Sequence, residues 1–430
     1  MDSLKFQLLS EKLVIPSSPT PHHLRHYNLC FLDQLECPNF VPMTLFYPKR
    51  KNTREKKSSS SSYINLEKSL SDLLSMYYPF AGRIVDNKAI DCNDKGAILS
   101  EARIMSPMAE VLKLSFSTVQ RLVFPNDIPW SEAKMEVSSL AIARLTHFDC
   151  GGKALSLCLC HKLGDGNTLC NFLHHWSALA RGQSFSSPQL IGSSLLPPND
   201  DKFTQQLSQV KHQPHVARRF RFDVSNLDHL MALVASQCNV KNPTKTEIVS
   251  AFLNTSLARV HNKKTTSFTP FVTSISLNFR KLISPELTNL MGNFICPILI
   301  HIKNEDDLKL PTLVSKIRTE KIRLFKKFKR LRKDCIPTVV RSEMESFPTD
   351  IPDLRTVTSL CDYPLYDIDF GWGKPSKVSF GALPNRNSFG LFDAPDNGGV
   401  EAIAVLDEKI MKEFLRDEEI LKYATLDPSF

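Results

Sequence analysis

Between residues 140 and 182 the spacing of apolar and polar positions changes period once, and the change predicts two strands followed by a helix. LAIARLTHF (140–148) alternates in part like a strand, DCGG (149–152) marks a tight turn, and KALSLCLC (153–160) returns as a nearly continuous apolar strand. Leu169, Phe172, Leu173 and Trp176 then fall at i, i+3, i+4 and i+7, with Gly182 as a helix stop. HKLGDG (161–166) is therefore the turn between a buried strand and an amphipathic helix.

Similar patterns flank this segment. LVIPSSPTP reads as an extended loop, PMTLFYP as a short strand bounded by Pro42 and Pro48, and the polar stretch 49–62 as an exposed loop. Leu66, Leu70, Leu73, Leu74 and Tyr77 lie at helical spacing, closed by Pro79. Residues 183–215 are rich in Ser, Pro and Gln without sustained periodicity and read as a linker. A second run follows: strand then helix over 218–238, a helix over 244–260 and a strand over 269–280. YPLYDIDFGWGKP (363–375) reads as a strand leaving through a glycine-rich turn, and FGLFDAP and VEAIAVL as the last strand pair. Strands and helices mix without regular βαβ alternation, which predicts a mixed-sheet α/β chain divided as 1–182, linker 183–215, and 216–430.

Length and composition agree, since 430 residues with 42% apolar content can build two or three cores. The net charge of +9 is local: residues 316–333 hold ten Lys or Arg and one acid, and the remaining residues sum to zero. Ile317, Leu324, Phe325, Phe328 and Leu331 share one face there, predicting an amphipathic helix with a basic outer side. Eleven cysteines, mostly in apolar stretches and without a C-x-x-C pair, suit a reducing compartment and argue against a zinc ribbon or disulfide framework. The N-terminal residues lack a signal-peptide h-region, and no apolar run is long enough to span a bilayer, so the expectation is a soluble cytoplasmic protein.

The motifs of serine hydrolases, P-loop NTPases, zincins and dinucleotide-binding folds are all missing, and glycine is only 15 of 430 residues. His174 and His175 are adjacent, which points them to different sides of a helix, so no metal is expected. His161 ends an apolar strand beside Gly164 and Gly166, which leave room for a substrate, and a neutral imidazole there could take a proton from a hydroxyl. A strand-end histidine bonded to backbone is the plainer reading. Asp165 could orient that ring or face away toward a distant cation. In DFGWG, Asp369 with Gly371 and Gly373 around Trp372 could present an indole N–H and backbone amides to an oxyanion, or could be a packed loop.

HKLGDG in mid-chain with DFGWGKP about two hundred residues later resembles the plant BAHD acyl-CoA-dependent acyltransferases, whose hallmarks are His-x-x-x-Asp and Asp-Phe-Gly-Trp-Gly. The strings PSSPTP, FLDQ, LFYP, YPFAGR, DCND, FDCGG, NPTKTE, LNFR, MGN and GVEA carry the resemblance along the whole chain, toward the alkaloid-type clade. It implies two similar-sized domains related to chloramphenicol acetyltransferase, joined by a long crossover matching 183–215, with a channel at their interface. It also implies His161 as general base, Asp165 paired with Arg280, Asp369 structural and remote from the channel, and Trp372 supporting the thioester carbonyl. Acyl-CoA would be the co-substrate, with no permanently bound cofactor, and Thr244, Lys245 and Thr246 would contact it, although the same residues suit an ordinary helix cap with Glu247. The expected activity is transfer of an acetyl or short, possibly branched, acyl group to a hydroxyl of an alkaloid, terpenoid or naphthoquinone-like metabolite, by a monomer. The alternatives are an amine acceptor and a non-catalytic binding protein of the same fold. The basic helix would be a solvated face, a guide for anionic CoA through Lys326, Lys327 and Lys329, or, with no resemblance, a nucleic-acid contact.

Overall fold

In the computed structural model the strand Lys153–Cys160 lies fourth in a six-stranded sheet. The order is Phe6–Val14, Ala97–Ile104, Ala141–Phe148, Lys153–Cys160, Phe40–Tyr47 and Lys377–Phe380. The structure describes residues 5–50, 59–125, 138–199, 215–262, 268–329, 331–347, 353–381, 386–395 and 398–427. Phe40–Tyr47 is buried at every position and Lys153–Cys160 at all but its first, which is why the two read as continuous apolar runs. The helices Ser59–Met76 and Gly166–Ala180 pack against each other, with Trp176 donating to Ser69 Oγ at 3.1 Å. Leu66, Leu70, Leu73, Leu74 and Tyr77 are all buried, each leucine contributing about 1.5–3 kcal/mol of apolar burial.

The second sheet has seven strands, in the order Ile295–Ile302, Phe271–Asn278, Leu354–Ser359, Ser388–Asp393, Val400–Leu406, Val216–Phe222 and Thr425–Leu426. Both large sheets mix parallel and antiparallel pairs, as in Ala97–Ile104 with Ala141–Phe148 and Leu354–Ser359 with Ser388–Asp393, both parallel. The expected mixed-sheet α/β architecture with two sheet-bearing domains is therefore present.

The chain does not divide cleanly at its middle. Lys377–Phe380, far along the second half, completes the first sheet by pairing with Phe40–Tyr47, and Leu365, Ile368 and Phe370 join the first core. In exchange, the short helix Phe31–Leu35 packs into the second core. Within the crossover, Gln189 bridges to Leu290 and Gly192–Leu195 forms a single helical turn, while residues 200–214 lie outside the described residues.

Several local readings need correction. Phe6–Val14 is a strand that the sequence reading missed, because as a sheet edge it exposes Leu8, Leu9 and Leu13 and shows no clean alternation. Pro42 lies inside a strand rather than at its boundary; the pairing with Lys377–Phe380 stops at Met43, one residue before it. Residues 363–375 are not a strand but a 3-10 turn, Leu365–Asp367, leading into a loop. The loop expected at 49–62 falls mostly outside the described residues, and the helix already begins at Ser59.

The basic segment is a helix, Leu310–Lys329, with Ile317, Leu324 and Phe328 buried. Its cations mostly turn inward to acids: Arg318 and Lys321 reach Glu247, Arg323 and Lys327 reach Glu343, and Lys316 reaches Asp307. Lys327 therefore belongs to a clamp between helices, not to a free cationic face. Hydrogen bonds from Arg323, then Lys327, hold the Glu343 carboxyl below its ordinary 4.5 despite burial. A depressed folded-state pKa means that this stabilisation is present above about pH 4.5 and is lost as the pH falls through the lower folded value. Urea unfolding of wild type and Glu343→Gln should accordingly differ most near neutral pH and converge in acid.

Candidate active site

His161 follows directly on the buried strand Lys153–Cys160, so its backbone is set by the sheet: its N–H donates to the Asn39 carbonyl at 2.8 Å. Its side chain keeps 29% exposure and opens onto a cavity of about 300 Å³ between the two sheets. Imidazole Nδ1 lies 3.1 Å from Asn293 Oδ1. The Asn293 amide nitrogen donates to the His161 carbonyl at 2.7 Å and to Asp33 Oδ1 at 2.9 Å. Asp33 is fully buried, and burial pushes its carboxyl above the ordinary value although donors from Cys30 and Asn293 oppose the shift. Glu36 Oε2 approaches Nδ1 to 3.6 Å.

Asp165 faces away from the imidazole. It caps the helix Gly166–Ala180 by accepting the Thr168 N–H at 3.1 Å, and its other oxygen accepts the Phe294 N–H at 3.1 Å. Arg280 meets both oxygens, at 2.8 and 3.2 Å, and also donates to the carbonyls of Leu290 and Gly292. Both side chains are almost wholly buried, and the pair ties the turn after the first sheet's central strand to the second half of the chain.

The two glycines of the turn serve close packing. A Cβ on Gly164 would stand 2.4 Å from Thr168 Cγ2, so the space beside it belongs to that threonine rather than to a substrate. A Cβ on Gly166 would stand 2.4 Å from Leu360 Cδ2, where the opposite domain arrives at the cavity wall.

DFGWG lies elsewhere. Asp369 Oδ1 accepts the N–H groups of Gly371 and Gly373 at 2.7 and 2.8 Å, and both glycines have φ near +90°, a conformation that disfavours any side chain. Arg50 approaches the Asp369 carboxylate at 3.7 Å, and Arg181 donates to its carbonyl. Trp372 stacks on Phe370, meets Tyr47 edge-on at 5.2 Å and lies under the Lys153 ammonium at 5.2 Å. Tyr47 pairs with Lys153 and Phe40 with Cys160, so Trp372 and His161 stand at opposite ends of the same two strands. Seven residues of strand place them about 23 Å apart. Trp372 cannot support an oxyanion formed at His161, and that expectation is withdrawn. Lining residues that carry a hydroxyl are Ser276, Thr356, Thr358, Ser359, Tyr363 and Ser388, beside the amides of Asn39, Asn167 and Asn278.

Thr244 closes a capping box with Glu247: the Thr244 N–H donates to the carboxylate at 2.8 Å and Thr244 Oγ1 accepts the Glu247 N–H at 3.2 Å. Its hydroxyl oxygen is thus engaged in the cap. Thr246 Oγ1 is 3.4 Å from Ser359 Oγ, a residue of the cavity lining, whereas Lys245 and Thr246 are not themselves among the described lining residues. His175 meets the Tyr77 hydroxyl at 2.9 Å and stacks on Phe185, and burial lowers its pKa to about 4. Among the described residues no three His, Cys, Asp or Glu side chains gather as metal ligands would, and no helix is long and apolar enough to cross a membrane.

Asn293, Asp33 and Glu36 are the residues that the sequence reading passed over. Asp33 and Asn293 sit in the strings FLDQ and MGN, 260 positions apart, with no periodicity to connect them.

Residues 4–421 match the model of the Transferase family. The chain is 35% identical over 431 residues to a 17,18-epoxy-17-hydroxycur-19-ene N-malonyltransferase of Strychnos nux-vomica, covering 99% of this chain and 92% of the relative. It is 36% identical to acyltransferase Pun1 of Capsicum frutescens, covering 97% of each. Among solved structures, the crystal structure of vinorine synthase superposes with a TM-score of 0.80 at 28% identity, covering 97% of this chain and 98% of that one.

Proposed function

The chain belongs to the Transferase family of BAHD acyltransferases, and on that premise we propose that it moves a short uncharged acyl group from acyl-CoA to a hydroxyl of a plant alkaloid, with His161 as general base. The observation that carries the reading is the imidazole itself, open to a cavity between the sheets and tied through Nδ1 to Asn293, which leaves Nε2 for a substrate proton.

Nε2 takes the proton of the acceptor hydroxyl as its oxygen attacks the thioester carbonyl carbon. The carbonyl electrons move to oxygen, for which the hydroxyl and amide side chains among the lining residues are the candidate donors. On collapse the C–S bond breaks and the CoA thiolate recovers the proton from the imidazolium, so thioester and alcohol become ester and thiol. No protein nucleophile takes part. Lys245 and Thr246, at the start of the helix beside Ser359, are suited to the phosphates of CoA, and Asp165, Arg280 and Asp369 keep structural roles.

The lining supports a choice among acyl groups and acceptors. No Lys or Arg is among the described residues lining the cavity, so a carboxylate on the acyl group would be buried without a cation. Of the two lining carboxylates Asp165 is engaged by Arg280, whereas Glu36 has no Lys or Arg within ion-pair distance among the described residues. A cationic acceptor satisfies it, which favours an alkaloid over a terpenoid or quinone. The same carboxylate would keep an amine protonated and non-nucleophilic, which favours oxygen as the acylated atom. Glu36→Gln should therefore lower the kcat/KM ratio between an amino alcohol and its carbocyclic isostere by about five- to tenfold. An unchanged ratio would remove Glu36 from acceptor selection.

The site is completed by one chain, so a monomer suffices, and eleven free cysteines suit the cytosol. The activity is tested by incubating a panel of acyl-CoAs with alkaloid and terpenoid alcohols and reading CoA release with a thiol reagent and products by mass spectrometry. Absence of release with every pair would reject the reading in favour of a non-catalytic binder.

A further inference from the structure

We propose that Asp33 is a positioning residue for the acyl-transfer reaction: acting through Asn293, it selects the Nδ1–H tautomer of His161 and so keeps Nε2 free to accept a proton. This deepens the reading of His161 as general base and rests on it. The nitrogen end of the Asn293 amide faces two groups that only accept, Asp33 Oδ1 at 2.9 Å and the His161 carbonyl at 2.7 Å. Turning the amide over would set its oxygen against both and lose two hydrogen bonds in a buried place. Its oxygen is therefore held toward Nδ1 at 3.1 Å, and since an amide oxygen cannot donate, Nδ1 must carry the hydrogen.

Asp33 is itself fixed. It is fully buried in the short helix Phe31–Leu35, its Oδ2 accepts the Cys30 N–H at 2.9 Å, and its Oδ1 also accepts the Asn293 backbone N–H at 2.8 Å. The relay spans the two halves of the chain, so the base is in its working form only when the halves are docked. A carboxylate is required at the end of the relay because three N–H groups, one from Cys30 and two from Asn293, converge on it. A leucine there, close in size but without an acceptor, leaves all three donors unsatisfied and releases the Asn293 amide to turn over.

The other ionisable groups facing the imidazole are Glu36, Cys37 and Lys162. Glu36 stands 3.6 Å from Nδ1 and favours a proton at the same nitrogen. Cys37 lines the cavity. Lys162 turns its ammonium to the Gln34 carbonyl and to Asn87, away from the ring. Glu36→Gln is therefore needed beside Asp33→Leu to tell which carboxylate sets the tautomer.

The test is the two-bond proton–nitrogen spectrum of full-length protein labelled with ¹⁵N-histidine, with His161 assigned from a His161→Gln sample, at a pH where the ring is neutral. The wild type should show a protonated Nδ1 and a bare Nε2. Asp33→Leu should shift His161 toward the Nε2–H form and lower kcat by about 10- to 100-fold, with KM for acetyl-CoA within about twofold. Glu36→Gln should leave the tautomer in place. A wild-type ring protonated at Nε2 overturns the proposal. So does an Asp33→Leu protein that keeps the Nδ1–H form, whether its kcat holds or falls, because any loss is then structural, and so does a tautomer that follows Glu36. If Asp33→Leu does not fold, Asn293→Leu must show the same tautomer shift. Wild-type turnover at the rate of the His161→Gln protein would instead overturn the general-base reading beneath it.

Discussion

Replacing His161 by alanine is expected to lower kcat for acyl transfer by about 10²–10⁴-fold while leaving KM for acyl-CoA and the melting temperature close to wild type. The size follows from what the side chain does: it is the only imidazole lining the cavity among the described residues, and its Nε2 is the nitrogen left for the substrate proton. Of the two lining carboxylates, Asp165 is bound by Arg280 and Glu36 lies on the Nδ1 side of the ring, so neither takes the place of Nε2. The stability should hold because the ring is 29% exposed and its one close hydrogen bond is to Asn293. Steady-state kinetics beside thermal melts decide the matter. Near-normal turnover in the alanine variant removes His161 from the chemistry.

Asp165→Asn has the opposite signature, with a loss of folding at least as large as any loss of rate. Arg280 is 1% exposed, and neutralising its partner leaves a buried guanidinium without a counter-charge, a change that typically costs about 3–5 kcal/mol. Its remaining bonds to the Leu290 and Gly292 carbonyls satisfy donors but not the charge. The pair also joins the turn after Cys160 to the segment leading to Ile295–Ile302, so the damage should reach the docking of the two halves and the placement of Asn293. Thermal melts and kcat measured on the folded fraction separate the two effects. A variant with wild-type stability and a large specific rate loss would make Asp165 a participant in catalysis.

Much of this site was legible in the sequence because its parts are local. The strand, turn and helix over 140–182 announce themselves by a change of period, and HKLGDG fills the turn. DFGWG was equally visible, but its neighbours in space were not. The strand that follows it pairs with Phe40–Tyr47 in a register that carries Trp372 to the Tyr47 end, away from His161. A motif fixes local backbone geometry, as the Asp369 bonds to Gly371 and Gly373 do, without stating which end of a sheet it will occupy.

The relay from Asp33 to Asn293 was illegible for a related reason. Each residue is polar in a short irregular segment, and only the meeting of the two halves gives either a role. The basic helix also changed meaning. Its charge was read as an outer face, yet Glu247 and Glu343 draw much of it inward, because sequence shows the cations of a helix but not the acids that other helices bring to it.

The central claim is direct transfer from acyl-CoA to an alcohol, assisted by His161 and without an acyl-protein. Mixing enzyme with labelled acetyl-CoA and following CoA, ester and protein-bound label on the time scale of one turnover tests it most directly. The account predicts that CoA appears only when an acceptor alcohol is present, at the same rate as ester, with no label on the protein. A stoichiometric burst of CoA without acceptor, leaving acetylated protein, would contradict it.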